Sequence, residues 1–340
     1  MDFSLFFFSN DDCSPGSEKY RLVLDGAKFA DTNGLAAVWT PERHFHAFGG
    51  PYPNPALLGA VIAATTRRVQ VRAGSVVSPL QNPIRIAEDW SVVDNLSGGR
   101  AAISFASGWA PNDFVLAPHN YAKRREVMYE DIATVRALWR GESIRRLNGE
   151  GHYVDVGIMP RPVQRELPVW VTAAGSPTTF DRAGAIGANL LTHLLGQSWK
   201  VLADKVKIYR DAWRRAGHAG TGYVSLMVHT FVHPDLDVVD HEVRPRLTTY
   251  IGSSLDLLGL NVSSDAPPEK VAAVVEVAVE KYLRLFGLFG PIESCLSRVI
   301  QAAHADVDEI ACLIDFGIDT DAVLESLPRI CELASIEILS

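Results

Sequence analysis

Cysteine is scarce in this 340-residue chain, and its four copies, Cys13, Cys295, Cys312 and Cys331, stand far apart with no Cys-x-x-Cys pair. That spacing excludes a zinc knuckle and a dense disulfide framework, and a reducing cytoplasm is the expected compartment. Positive charge is in deficit: 32 Lys and Arg against 40 Asp and Glu leave a formal net charge of −8. A surface devoted to nucleic acid or another polyanion is therefore not expected. Long apolar runs are missing as well. The segment Met1 to Ser9 lacks a basic flank and runs into Asp11 and Asp12, unlike a signal peptide. The longest helix-like uncharged stretch, Ala183 to Trp199, carries Asn189, Thr192, His193 and Gln197 and falls short of a membrane span. No Walker loop is found, and no Gly-x-Gly-x-x-Gly turn lies between Ser9 and Gly16. With 47% apolar and 21% charged residues, disorder as the dominant state is excluded and a soluble globular protein is expected.

What is present is an alternation of short apolar, β-branched runs with longer segments of helical period. The runs are Asp2 to Phe8, Leu35 to Trp39, Val69 to Val76, Ala101 to Phe105, Val169 to Ala173, Ala188 to Thr192, Tyr223 to Val232 and Glu309 to Asp315. Helices are expected at Ser17 to Thr32, Pro55 to Thr66, Pro83 to Asn95, Arg124 to Trp139, Pro177 to Ile186, Trp199 to Ala216 and Thr320 to Leu333. Eight such strands, several too continuously apolar to face water, predict an α/β protein built as a (β/α)8 TIM barrel. One domain over 1–340 is expected, with insertions after strands 4 and 7. The first, Gly141 to Leu167, reads as a hairpin-like excursion. The second, Pro234 to Asp308, has helical segments near Val238 to Leu258 and Pro268 to Leu285. Insertions of this length often serve as lids.

In a barrel, chemistry gathers just past the carboxyl ends of the strands. The second strand leads into Glu42, Arg43, His44 and His46, which offer acid/base groups, metal ligands or plain loop polarity. Glu42 can alternatively pair with Arg43 or Arg125. Small residues end the third strand at Gly74 and Ser75, where a flat ring could approach the backbone or the chain could simply bend. The fourth strand runs into Ala106, Ser107, Gly108 and Trp109. After Val169 to Ala173, the sequence Ala174-Gly175-Ser176-Pro177-Thr178-Thr179 is a helix start with Ser176 as cap and Pro177 in the first turn. Such a start either accepts a phosphate, with Arg124 or Arg125 reaching across, or is an ordinary capped helix. His193 follows the sixth strand as a polar tip on an apolar wall.

Together these segments resemble the bacterial-luciferase-like, flavin-dependent monooxygenases, most closely the branch found in natural-product biosynthesis beside peptide-synthetase or polyketide assembly lines. The resemblance rests on Phe3 to Phe7, Ala36 to His46, Ala73 to Val77, Trp90 to Arg100, Ser104 to Trp109, Asn112 to Pro118, Val169 to Pro177, Leu191 to Gln197 and Glu309 to Gly317. It implies a barrel that binds reduced FMN, adds dioxygen at the flavin C4a position and uses the C4a-peroxyflavin to oxygenate a small-molecule or carrier-protein-bound substrate. A separate NAD(P)H-dependent flavin reductase would supply the FMN, and family habit implies a homodimer. Gly74 and Ser75 would form a bulge behind the isoalloxazine ring, with a non-proline cis peptide as in relatives. Trp39, Thr172 and His193 would belong to the cofactor surface, and Ala106, Ser107 and Trp109 would lie along the ring or ribityl chain. Ala174, Gly175, Ser176 and Thr179, with Arg125, would hold the phosphate, Arg124 being the alternative if the register slips by one. His44 would move the proton that steers the oxygenation, oriented by Glu42. Loops Ala110 to Asn120 and Pro234 to Leu260 would close the mouth.

The chain also departs from the family pattern. Arg43 stands where luciferases proper carry the first of two adjacent histidines, and Ala110 stands where a histidine is expected in this branch. Light emission is thereby put in question. Three other readings remain: a non-catalytic FMN-binding protein or scaffold, a deazaflavin-dependent oxidoreductase, and a metal-dependent hydrolase. The hydrolase would use His44, His46, His193 or His229, and Asp315. The flavin reading needs no metal.

Overall fold

The structure is a computed structural model that describes residues 1–11, 16–253 and 267–337. In chain order the elements are β1 (Asp2–Phe7), α1 (Arg21–Asn33), β2 (Ala37–Thr40), α2 (Pro55–Thr65), β3 (Gln70–Val77), α3 (Pro83–Ser97), β4 (Ala101–Ala106) and α4 (Arg124–Arg140). A hairpin follows, β5 (Ile144–Leu147) with β6 (Tyr153–Val156), and then β7 (Val169–Thr172), α5 (Pro177–Ala185), β8 (Asn189–His193), α6 (Trp199–Arg215) and β9 (Val224–Val232). The chain ends through α7 (Leu236–Ser253), α8 (Pro268–Leu285), β10 (Leu288–Gly290), α9 (Ile292–His304), β11 (Glu309–Asp315) and α10 (Thr320–Ala334).

Eight strands pair in parallel in the order β1-β2-β3-β4-β7-β8-β9-β11, and β11 returns to β1, closing the barrel. All eight expected strands are present. Their apolar character follows from burial on both faces, since helices cover the outside and side chains fill the inside. Helix starts are set locally: Asn54 accepts the Ala56 and Leu57 N–H groups ahead of Pro55, and Asn82 accepts that of Ile84 ahead of Pro83. Gly34, Gly98 and Gly141 end their helices in the left-handed conformation, which glycine adopts without a Cβ clash.

The barrel floor is polar. Glu309 is fully buried, accepts from Arg72 Nη1 at 2.6 Å and Ser225 Oγ at 2.7 Å, and also takes hydrogen bonds from Ser4 and Trp39. The Arg72 guanidinium lies over Trp39 and Trp170, 4.7 and 4.5 Å from their ring centres. Burial pushes the Glu309 carboxyl up, but Arg72 and the two serines more than offset this and hold it below the ordinary glutamate value.

The structure refines several expectations. α1 begins at Arg21, after a short 3-10 turn at Gly16–Glu18, rather than at Ser17. The insertion at 141–167 is an antiparallel hairpin, but it follows α4 and so returns at the floor end. Asp94 at the end of α3 accepts the Val163 and Gln164 N–H groups there, at 2.7 and 2.9 Å. It cannot be a lid. The stretch 234–308 is not all inserted, because α9 packs between α6 and α10 as the barrel's own seventh helix, and β10 pairs with the end of β9. The segment expected to be helical over Val238 to Leu258 is helical through Ser253, and 254–258 lie outside the described residues. Likewise Pro234 to Leu260 is largely helix α7 rather than loop, with 254–260 outside the described residues. Among the described residues no helix is long and apolar enough to cross a membrane.

Candidate active site

A cavity of about 370 Å³ opens at the carboxyl ends of the strands, within the ~300–1,000 Å³ common for small-molecule and cofactor sites. One wall is the end of β3. Its pairing with β4 shifts register between Gly74 and Val76, and the Gly74–Ser75 peptide is cis. A Cβ on Gly74 would meet Phe6 at 2.7 Å and Trp39 at 3.0 Å, so only glycine lets the backbone pack this closely. Ser75 and Ser104 both bond the Thr172 hydroxyl, the latter at 2.7 Å, which ties β3, β4 and β7 together under the cavity. Ala106, Ser107 and Gly108 add small side chains beside Trp109.

Glu42 lines the cavity and is held from three sides. Its carboxylate accepts the Val77 N–H at 2.7 Å and the Gln81 amide at 2.8 Å, and His44 Nε2 lies 3.0 Å away. It pairs with neither Arg43 nor Arg125. Arg43 instead forms a buried ion pair with Asp113 and lies over the Trp109 ring at 4.8 Å, joining the loops after β2 and β4. The loop Ala110 to Asn120 is folded into 3-10 turns at Pro111–Leu116 and Pro118–Lys123.

At the opposite end the cavity meets the start of α5. Ser176, Gly175, Ala174 and Thr179 face it, and the Ser176 hydroxyl makes no capping bond. Arg124 and Arg125 both line this end but differ in commitment. Arg124 donates to the carbonyls of Gly108 and Tyr121 at 3.1 and 2.9 Å and stacks on Tyr121. Arg125 is exposed and has no hydrogen bond or ion pair among the described residues.

The expected residues Gly74, Ser75, Ala106, Ser107, Trp109, Arg125, Thr172, Ala174, Gly175, Ser176, Thr179 and His193 thus converge on one cavity, with Glu42. Two do not. Trp39 is fully buried and lies one layer lower, donating from Nε1 to Ser4 at 2.9 Å and stacking on Arg72, so it supports Gly74 from below instead of facing a cofactor. His44 sits in the loop beyond the strand end and reaches the cavity only through Glu42. Sequence reasoning did not single out Phe8, Met128, Tyr129, Met227 and Tyr250, which also line it. For Tyr129 a signal existed: it follows Arg125 by four residues on α4 and so shares its face.

His193 accepts the Leu195 N–H at 3.2 Å, and burial, with Lys205 nearby, pushes it down to about 4. His229 is pushed down to about 3 by burial and by His193. Both imidazoles are neutral at pH 7. The hydrolase ligand set is dispersed. His46 Nδ1 accepts the Phe48 N–H at 3.0 Å, His229 bonds the Tyr282 hydroxyl at 3.0 Å, and Asp315 accepts from Tyr52. Among the described residues no group of three or more His, Cys, Asp or Glu is placed to hold a metal ion.

The small-residue bulge on β3 and the start of α5 thus line one cavity at the mouth of a closed parallel TIM barrel. The family model described as luciferase-like monooxygenase matches residues 1–309, and the chain belongs to that family. Its curated relatives include the oxygenase component of a flavin-dependent trigonelline monooxygenase from Acinetobacter baylyi. That protein is 26% identical over 340 residues, covering 97% of this chain and 93% of the relative. Among solved structures, the monooxygenase RslO1 from Streptomyces bottropensis has a TM-score of 0.82 at 21% identity, with 98% of each chain covered. The oxygenating constituent of 3,6-diketocamphane monooxygenase from Pseudomonas putida, in complex with FMN, has a TM-score of 0.75 at 15% identity, covering 98% of this chain and 97% of that one. These two likenesses establish the shared fold.

Proposed function

We propose that the protein is the oxygenase component of a two-protein system, binding reduced FMN and using dioxygen to oxygenate a small organic or carrier-tethered intermediate of secondary metabolism. The observation that carries this reading is the single cavity joining the Gly74–Ser75 bulge to the start of α5, a flat slot at one end and anion donors at the other. The residues present fit the cofactor. Gly74, Ala106 and Gly108 leave room for a ring, Trp109 offers an aromatic wall, and Ser176, Thr179 and Arg125 hold unused donors for a phosphate. When bound, reduced flavin supplies the electrons that activate dioxygen at its C4a carbon.

The chain's own residues bind, orient and exclude water. Phe6, Phe8, Phe48 and Tyr250 form the apolar side of the cavity, and the Arg43–Asp113 pair holds the loop carrying Trp109 against it. Glu42 Oε1 is the proton-handling atom at the wall, and His44, partly exposed in the loop beyond it, exchanges that proton with solvent water. A separate NAD(P)H-dependent reductase, a cytoplasmic site and a homodimer complete the reading. The trigonelline relative's designation as an oxygenase component supports the first of these.

The test is an anaerobic titration with reduced FMN, followed by mixing with oxygen. Tight binding and reoxidation much slower than that of free flavin are expected. Binding with reoxidation as fast as in solution would favour a non-catalytic flavoprotein, and selective binding of a deazaflavin would overturn the FMN assignment. Replacement of His44 by Ala should slow product formation, and an unchanged rate would remove His44 from the proton path.

A further inference from the structure

Beyond Arg125 and the start of α5, the phosphate end of the cavity is lined by Tyr129 and backed by Arg182 and Lys205, groups whose charge or hydrogen-bonding capacity the protein itself does not use. The Tyr129 hydroxyl is buried in the cavity wall and has no hydrogen-bond partner. An unpartnered buried hydroxyl is costly and rare in folded proteins. The Arg182 guanidinium, on α5, lies 3.6 Å over the Tyr129 ring and makes no ion pair among the described residues. Lys205 is about nine-tenths buried and has no acidic partner. It donates instead to the Ala174 carbonyl at 3.1 Å, in the loop that precedes α5, and to Gln197 at 3.0 Å. With Arg124, which donates only to carbonyls, the cations Arg125, Arg182 and Lys205 thus stand without carboxylates around one corner of a protein with a net charge of −8. Most other buried or half-buried basic groups are committed: Arg72 to Glu309, Arg43 to Asp113, and Arg210 to Asp306 and Asp308.

We infer that Tyr129 is a hydrogen-bond donor to a terminal, doubly charged phosphate monoester, with Arg182 and Lys205 as positioning and charge-balancing residues around it. The inference rests on the flavin reading above and deepens it, because it selects the mononucleotide over riboflavin and over a cofactor whose phosphate is a singly charged diester. Burial pushes the Tyr129 hydroxyl up to about 12, against the lowering effect of Arg182 and Arg125, so it remains a donor at neutral pH. The Arg182 stack fixes the ring that carries this donor, as a guanidinium over an aromatic face does. Lys205 holds the backbone of Ala174 from behind.

The test is anaerobic equilibrium binding of reduced FMN and reduced riboflavin to the whole chain, read by titration calorimetry. The wild-type protein should prefer FMN by about 100-fold or more, and that preference should shrink between pH 7.5 and pH 5, as the phosphate loses its second charge near pH 6. Tyr129→Phe should weaken FMN about 10-fold or more and leave riboflavin unchanged, as expected for loss of a hydrogen bond to a charged group. Arg182→Met should weaken FMN several-fold and flatten the salt dependence of its binding, again sparing riboflavin. Equal loss of both flavins in Tyr129→Phe, or no loss of FMN, would overturn the inference. Flavin binding by the wild type without preference for FMN would overturn it while leaving the flavin reading intact. Failure to bind either flavin would overturn both.

Discussion

Replacing Arg72 by Met would test whether the floor of the barrel is held by charge or only by packing. Arg72 is 5% exposed and Glu309 is 0% exposed, so neither can turn to water when its partner is lost. Methionine fills much of the guanidinium stem between Trp39 and Trp170 but supplies no charge. Removing one member of a buried pair typically costs about 3–5 kcal/mol, and most of that is the uncompensated charge left behind. The methionine side chain keeps packing against both tryptophans, so loss of the stack adds little to this. A loss of roughly 4 kcal/mol at pH 8 is therefore expected, measured as the shift in urea midpoint multiplied by the m-value. The pH dependence gives a sharper check. In the wild type Glu309 is held below its ordinary value, so its contribution is present above about pH 4.5 and lost as pH falls. In Arg72→Met burial is opposed only by the hydrogen bonds from Ser4 and Ser225 and the carboxyl moves up, so the folded state takes a proton that the unfolded chain does not. The deficit of the variant should then narrow between pH 8 and pH 5.5. A further change of Glu309 to Gln in the same chain should recover part of the loss. A deficit below 1 kcal/mol, or one that does not change with pH, would refute the charge argument.

Other expectations follow from the site. Gly74→Ala places a methyl 2.7 Å from Phe6 and 3.0 Å from Trp39, so it should cost about 1–3 kcal/mol by overpacking and weaken flavin binding; an unchanged melting temperature would show that the layer below can yield. His193 drops from 6.5 to about 4 in the folded protein, so the unfolded chain binds its proton first. Its contribution is present above pH 6.5 and is lost as pH falls toward 4, by roughly 3 kcal/mol at about 1.4 kcal/mol per pH unit. His193→Phe should therefore shift the acid midpoint downward in a near-UV circular dichroism titration, and an unchanged midpoint would contradict this. Arg43→Met should expose the segment 110–123 to limited proteolysis, because Asp113 loses its paired cation and Trp109 its stacking partner; equal cleavage rates in the two proteins would show that the loop is held by other contacts.

The eight barrel strands were legible because each is buried on both faces and each is followed by a segment of a different period. What escaped notice was short or displaced. β10 has three residues and pairs only with Thr230 to Val232, too little for a periodic signal. α9 has its own apolar stripe through Cys295, Val299 and Ala302, but it lies behind two inserted helices, so its place in the ring depends on tertiary packing that no local pattern encodes. At the site, positions fixed by backbone chemistry were readable: the small residues at Gly74 and Ser75, and the Ser-Pro start of α5. Positions fixed by a loop's path were not. His44 lies past the last paired residue of β2, and only the fold of 41–54 decides that Glu42, not His44, faces the cavity.

Trp39 shows how much more the strand period contained. Side chains along a strand alternate, so residues two apart share a face and differ by one layer in height. The floor is built from Ser4, Trp39, Arg72, Trp170 and Ser225 around Glu309. Adding two to each of the first five gives Phe6, Pro41, Gly74, Thr172 and Met227, and all five line the cavity. The cavity is the next layer of the same barrel, and the polar floor sets its height. A charged pair locked between two indoles fixes where Gly74 and Thr172 stand, and those two residues fix the slot. The same counting places Trp39 below the cavity from the moment β2 is aligned with β3 through Trp39 and Arg72. Register between strands is therefore the quantity that turns this sequence into a site. A change that slipped β2 by two residues would carry Trp39 up into the slot and leave Ala37 in its place beside Arg72.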